Sequence, residues 1–303
     1  LAVRVEVDGA VVSDPIQASP KTGPEMLREV LAAYDRLRQG RPGSLGIGIP
    51  GLVDASDDIL FAPNLAGVAG YSFGKELRAE LGQSRVWIGN DATAACWAEH
   101  ALGAGQGYQD MLTVTLGTGI GGGIVSSGQL FEGSHRFAGE FGHMVVDPNG
   151  PRCPCGKNGC WERYGSGAGL GFLGREQALA GEAPRLVELA GDAETVRGEH
   201  VTMAAGQGDP GALGIMARFG WWVALGLANL ATIFDPEVIV VGGGLVDAGE
   251  VLLAPTRAAF EELFEGASVR PAVDIVAATL GPVAGAVGAA LLADQRVSGR
   301  DRP

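Results

Sequence analysis

Polar and apolar positions alternate over residues 1–7, Asp8 and Gly9 make a turn signal, and Val11 and Val12 follow, which predicts a two-stranded hairpin. From 24 to 39 the period changes. Met26, Leu27, Val30, Leu31, Tyr34 and Leu37 recur at helical spacing behind Pro24, a residue suited to a first helical turn, so an amphipathic helix is expected. Short apolar runs at 45–49, 85–88, 111–116, 120–125 and 238–241 read as strands separated by helical stretches, the alternation of an α/β protein. Residues 219–234 are the most apolar stretch, interrupted by Asn229 and preceded by Arg218. They fall short of the roughly 20 residues that cross a bilayer and predict a buried helix ended by Asp235 and Pro236. A last helical stretch, 283–295, carries Ala and Leu on most faces and needs burial, with a polar tail expected to fray. Glycine-rich punctuation without a repeat puts the domain boundary near Asp110.

Composition narrows the class. The 303 residues are 46% hydrophobic and 19% charged, enough for two cored domains, and Gly plus Pro stay near 22%, under the roughly 25 to 30% of low-complexity chains. A net charge of −13 without a basic run argues against nucleic acid or an anionic membrane as the main partner. Of four cysteines, three crowd at 153, 155 and 160, which suggests metal rather than disulfides; Cys96, among Ala94, Ala95 and Trp97, reads as a small core residue.

Chemistry concentrates in four places. His143, Cys153, Cys155 and Cys160 offer one imidazole and three thiolates within 18 residues, a set that suits tetrahedral zinc and leaves no position for a catalytic water, so the metal would be structural. The alternative is three ordinary thiols beside an unrelated histidine. Glu140 and Glu162 flank the cluster, and a metal knot would fix both carboxylates to accept hydrogen bonds from sugar hydroxyls, although a lone Glu is as readily a solvated surface residue. The run LGTGIGGG holds the dinucleotide fingerprint at Gly117, Gly119 and Gly122, yet a strand and turn follow where a Rossmann site needs a helix. A hairpin with a glycine tip is predicted instead, either cradling a phosphate with backbone N–H groups and the Thr118 hydroxyl or binding nothing. Asn90 and Asp91 precede a helical run, where either can cap a helix, or Asp91 can act as general base on an attacking hydroxyl. The glycines at 242, 243 and 244 after a strand fit close approach of a ligand or a tight junction.

Taken in order, GIGIPGLVD, FAPNL, GNDATAACWAE, TLGTGIGGGI, AGEFGH, CPCGKNGCWERYGSG and FDPEVIVVGGGL resemble the ROK family of repressors, open reading frames and kinases, and within it the ATP-dependent glucokinases of actinobacterial type. The resemblance covers nearly the whole chain. It implies an α/β actin-like (hexokinase/ribonuclease H-like) fold with two domains around a central cleft. The smaller would span 1–110, completed by 283–303, and the larger, with the zinc, 111–282. It implies Asp91 as catalytic base, with Asn64, Asn90, Asp91, Glu140, His143 and Glu162 at sugar-binding positions and Gly51 beside them. Gly117, Thr118 and Gly119 match the second phosphate loop; Gly243 and Gly244 match the adenosine turn. His143 would bind zinc through one ring nitrogen and face the sugar with the other. The implied activity is transfer of the γ-phosphoryl of ATP, with Mg2+, to the 6-hydroxyl of glucose or a related hexose, with structural Zn2+, in the cytoplasm, as a homodimer or homotetramer and without nucleic acid or membrane partners.

One departure stands out. Such kinases open with an Asp-x-Gly-Gly-Thr hairpin, the first phosphate loop, which these residues lack, and Leu1 aligns just beyond it. The expectation is that upstream codons encode it. Rival readings are a sugar-responsive repressor of the same family, a non-catalytic sugar binder, and a kinase of another hexose or an N-acetylhexosamine.

Overall fold

The strands and helices follow the periodicities, with local chemistry setting their ends. The computed structural model describes residues 2–6, 10–14, 20–41, 43–62, 65, 67, 68, 70–82 and 86–298. In it β1 (Ala2–Val5) and β2 (Val11–Asp14) pair antiparallel; the turn at Asp8 and Gly9 and the tail after Ser298 lie outside the described residues. Helix α1 (Gly23–Arg38) starts behind Thr22, whose hydroxyl accepts from Glu25 N at 3.3 Å while Glu25 accepts from Lys21 N at 2.7 Å. Next come β3 (Leu45–Ile49), β4 (Leu52–Val53), β5 (Ile59–Phe61), α2 (Phe73–Leu81), β6 (Val86–Asn90) and α3 (Asp91–Leu102). Strands β7 (Met111–Leu116), β8 (Ile120–Ser126) and β9 (Gln129–Leu130) follow. The helices α4 (Glu162–Gly165), α5 (Gly167–Leu179), α6 (Pro184–Ala190), α7 (Gly198–Gly206) and α8 (Pro210–Phe234) lead to β10 (Val238–Gly242), α9 (Glu250–Leu263), β11 (Asp274–Ala277) and α10 (Ala284–Ser298).

The chain divides into two compact units, Leu1–Gln109 with Gly123–Gly139 and Leu280–Pro303, and Asp110–Gly122 with Glu140–Thr279. In the first, β3 and β6 run parallel, Ile49 opposite Asn90, over a core that includes Met26, Ile59, Phe73, Leu77 and Ile88. Gly46 and Gly48 alternate with Leu45, Ile47 and Ile49, so one face of β3 has a strip without side chains. Backbone fills that strip: a Cβ on Gly46 would overlap the Ala289 carbonyl, and one on Gly288 the Ala94 carbonyl. Thus α10, whose Ala284, Val287 and Leu291 also join an apolar cluster with Ala95 and Ala98, sits backbone to backbone against β3 and α3.

The stretch 123–139, which the sequence pattern leaves in the larger domain, groups with the first unit. Arg136 accounts for this. Its guanidinium ion-pairs with buried Asp57 at 2.8 Å, donates to Ile88 O at 2.9 Å and Asp54 O at 3.2 Å, and lies over the Trp87 ring, while Arg78 meets the same Asp57 carboxylate. A buried carboxylate matched by two guanidiniums is satisfied; with one removed it would be left with uncompensated charge.

In the second unit β11, β10 and β7 are parallel neighbours, Val238 facing Asp274 and Met111, with the start of β8 on the far side of β7. Helix α8 begins at Pro210, earlier than the apolar run suggests, because Asp209 caps it by accepting from Ala212 N at 2.8 Å. It ends at Asp235, which takes the left-handed conformation with φ 48°. Its 25 residues are long and apolar enough to cross a membrane, but one side, including Phe219, Val223, Leu227 and Leu230, is buried within this unit.

Two glycine substitutions test this packing. Gly288→Ala is expected to destabilise the protein by about 1–3 kcal/mol, because its methyl meets backbone that cannot yield. Gly214→Ala, on an exposed stretch of α8 with open space around it, should instead stabilise by about 0.5–1 kcal/mol. Urea unfolding of both variants reads the two signs.

Candidate active site

In the first unit, the junction of β6 and α3 assigns the cap that the sequence left open. Asn90 Oδ1 accepts from Ala92 N at 2.9 Å and Thr93 N at 3.0 Å, and Asn90 Nδ2 donates to Gly51 O at 3.1 Å. Asn90 is therefore the N-cap, and it ties in Gly51, where a Cβ would overlap the Phe61 carbonyl. Asp91 is the first helical residue; its Oδ1 accepts from Ala92 N at 2.9 Å. Glycines crowd its backbone, since a Cβ on Gly48 would stand 3.2 Å from Asp91 Cα and one on Gly285 3.2 Å from Asp91 O. Burial raises the Asp91 carboxyl above the usual aspartate range, while the N–H groups of Ala92 and of Asp91 itself pull it partly back. Asn64 lies outside the described residues.

In the second unit, Gly117, Thr118 and Gly119 form the tip between β7 and β8, closed by Gly117 N donating to Gly119 O at 3.0 Å, with Thr118 exposed. Strand β8 follows the glycines, as the reading against a Rossmann turn expects. After β10, Gly243 turns with φ +83°, and a Cβ there would overlap the backbone of Leu116; Gly244 has open space beside it. Both glycine turns leave the same end of neighbouring parallel strands, the carboxyl end at which α/β sheets bind ligands.

Close to that tip stands Glu162. Its Oε2 faces Ile120 N at 3.4 Å, where a Cβ on Gly119 would collide with it, and its Oε1 lies 3.9 Å from His143 Nδ1 and 3.5 Å from Cys153 Sγ. His143, on a one-turn 3-10 segment, directs Nδ1 to Cys153 Sγ at 3.8 Å and Nε2 to Glu140 Oε2 at 3.9 Å. Nδ1 thus faces the Cys153 thiol and the Glu162 carboxylate, and Nε2 faces the Glu140 carboxylate.

The run CPCGKNGC folds as a tight turn: Cys153 N donates to Lys157 O at 2.8 Å, Gly156 takes φ +98°, and Val145 bridges Cys160. His143, Cys153, Cys155 and Cys160 bring their ligand atoms within 4.8 Å of one another, with Cys155 and Cys160 sulfurs 3.5 Å apart. Metal–sulfur bonds of about 2.3 Å in a tetrahedron require sulfurs just under 4 Å apart, so the donor set fits zinc. Its two buried thiols also resist ionising unaided. Burial and the neighbouring thiols push Cys160 up to about 12, and burial raises Cys153. Burial acts in the same direction on exposed-edge Cys155, but the Lys157 N–H and the flanking thiols outweigh it and lower the net value. A cation bound by the four side chains would favour release of those protons.

Three polar anchors escape sequence reasoning. Arg136 with Asp57 is one. Glu99, 1% exposed, is another: its carboxylate accepts from Ala104 N at 2.9 Å and from Leu280 N at 2.8 Å, joining the end of α3 to the start of the final helical segment. Trp161, between a candidate metal ligand and a candidate sugar ligand, is the third. Only the glycine alternation in β3 offered a local hint of close packing.

Comparison with known proteins agrees with this geometry. The sequence profile of the ROK family matches residues 7–296. A glucokinase of Streptomyces coelicolor is 37% identical over 298 residues, 95% of this chain and 92% of its own length. A glucokinase of Thermotoga maritima is 37% identical over 84% of this chain and 80% of its own. The crystal structure of a ROK family glucokinase from Streptomyces griseus in complex with glucose and AMPPNP superposes with a TM-score of 0.84 at 39% identity, covering 96% of this chain and 94% of that one. Relatives also include an N-acetylmannosamine kinase of Escherichia coli and a xylose repressor of Bacillus subtilis, of which this chain spans 64%.

The raised Asp91 carboxyl carries a stability consequence. A folded-state pKa above the unfolded one makes the ionised group a cost that appears as pH rises from the ordinary aspartate range through the raised value. Asp91→Asn should therefore melt higher than the parent at pH 7, with the gap closing as pH falls below that range. Thermal melts between pH 3 and 8 measure it.

Proposed function

We propose that this chain, which belongs to the ROK family and has its actin-like α/β fold, is a hexose kinase that transfers the γ-phosphoryl of ATP to the 6-hydroxyl of glucose. The observation that carries the mechanism is Asp91: a carboxylate at a helix start, relieved of capping by Asn90 and made more basic by burial. In this reading Asp91 accepts the proton of the sugar hydroxyl as the oxygen–phosphorus bond forms and the bond to the departing ADP breaks. Positioning does most of the rest, because phosphoryl transfer needs little covalent help.

Asn90, Asn64, Glu140, His143 and Glu162 grip the sugar hydroxyls in this reading, with Gly51 beside them. The tip at Gly117, Thr118 and Gly119 receives phosphates, and Gly243 and Gly244 admit the adenosine. Magnesium, bound with the nucleotide, supplies neutralisation of phosphate charge. His143, Cys153, Cys155 and Cys160 would hold zinc in a closed set that fixes the His143 ring and the segments bearing Glu140 and Glu162. The protein would work in the cytoplasm as a homodimer or homotetramer.

A coupled assay with ATP and magnesium across glucose, mannose, N-acetylglucosamine and N-acetylmannosamine tests the assignment; glucose should give the highest kcat/KM, and no turnover of any hexose would overturn it. Asp91→Asn should lower kcat about 10²- to 10⁴-fold, the usual range for loss of a general base, with glucose affinity nearly unchanged by calorimetry. Cys155→Ser should leave less than one zinc per chain by metal analysis and lower the melting temperature; full zinc in that variant would remove the cysteine from the ligand set.

A further inference from the structure

The cysteine turn and the carboxylate that follows it are fastened to α8, and Trp161 makes the most deeply buried of these contacts. Trp161 sits between Cys160 and Glu162 and is fully buried, with 0% exposure. Its indole N–H donates to Trp222 O at 2.8 Å, a carbonyl in the middle of α8. Four residues on, a Cβ at Gly226 would overlap the indole ring, so the ring occupies a notch that a glycine keeps open. Its backbone N–H donates to Met144 O at 2.7 Å, one residue after His143.

Position gives this anchorage its importance. Glu162 opens α4, a helix of a single turn that cannot hold its own place by propagation. The fastenings of that turn run to α8: the Trp161 indole in its notch, and Tyr164, stacked on Trp222 with centroids 4.1 Å apart and donating to Asp147 Oδ2 at 2.8 Å. Any displacement of Trp161 moves its two chain neighbours, a sulfur of the cysteine cluster and the carboxylate facing Ile120 N.

We infer that Trp161 in the Gly226 notch is a positioning residue that sets both Glu162 beside the glycine tip and Cys160 within the metal cluster, so sugar affinity and metal retention depend on one indole. The sugar half rests on the proposed kinase reading; the metal half does not. Trp161, fully buried, would act through these two neighbours and not on the sugar or the phosphates directly.

The test compares Gly226→Ala with Gly220→Ala in the full zinc-loaded chain. Gly220→Ala also adds a methyl to α8, 3.1 Å from Thr256 N, away from the notch. Gly226→Ala should raise KM for glucose and speed zinc release to a chelator, each by about tenfold, with kcat changed less than about twofold. Gly220→Ala should lower the melting temperature while leaving KM and zinc release unchanged. Trp161→Phe, which keeps a ring and loses the donor, should shift KM and zinc release in the same direction and serves if Gly226→Ala does not fold. Unchanged KM and unchanged zinc release in Gly226→Ala or Trp161→Phe would make Trp161 an ordinary core residue and overturn the inference. Should the parent turn over no hexose, the kinase reading fails, and zinc release alone then decides: faster release supports the anchorage and an unchanged rate overturns it.

Discussion

Asp91 stands at the head of α3 with its backbone packed closely on Gly48 and Gly285, and close approach across a glycine recurs at several of the candidate functional groups of this molecule. A Cβ on Gly119 would strike the Glu162 carboxylate, one on Gly226 the Trp161 ring, and one on Gly243 the backbone of Leu116. In each case the missing side chain lets a backbone, a carboxylate or an indole ring come closer than packing between side chains allows. Glycine loses more conformational freedom on folding than other residues, so a chain with 50 of them bears an entropic cost that close packing and polar anchors must offset.

The two units meet that cost differently. In the first, helix α10 lies backbone to backbone on β3 and α3, and charge completes the work: Arg136 bonds to Asp57, Ile88 O and Asp54 O, and Glu99 takes the Leu280 N–H. In the second, few long polar anchors are needed around His143 and Glu162, because the cysteine turn holds its ligand atoms within 4.8 Å of one another and Trp161 fastens it to α8. In the proposed reading, a divalent cation held by these four side chains would take the place of the thiol protons and make the turn a rigid support for the neighbouring carboxylates.

What the sequence revealed follows from distance along the chain. The helix at Pro24, the strands around the glycine runs and the β8–β9 turn at Ser127 and Gly128 are local patterns, read within a few residues. The cysteine cluster was legible for the same reason, its four ligands lying between 143 and 160. The Arg136–Asp57 pair spans 79 residues and the Leu280–Glu99 bond 181, and neither partner departs from the composition of an exposed helix or loop. Hence the stretch 123–139 could not be given to the first unit from sequence, nor could the notch at Gly226 be distinguished from a flaw in an apolar helix. The early start of α8 is marked by the Asp209–Pro210 pair, a cap followed by a first-turn proline, well ahead of the apolar run that begins at Phe219.

The order of Asn90 and Asp91 carries the last step. A helix start offers unpaired N–H groups, and each one that a carboxylate accepts favours its ionised form and makes it a poorer proton acceptor. Here the neutral Asn90 amide takes the Ala92 and Thr93 N–H groups, and Asp91 shares only the first of these. Burial then dominates and the carboxyl rises above its ordinary range. With the residues exchanged, the charge would occupy the cap, its basicity would fall, and the amide one position on could accept no proton at all. The pair is therefore a division of labour: the neutral side chain satisfies the helix, and the charged one beside it keeps the proton affinity that hydroxyl deprotonation in the proposed reaction requires.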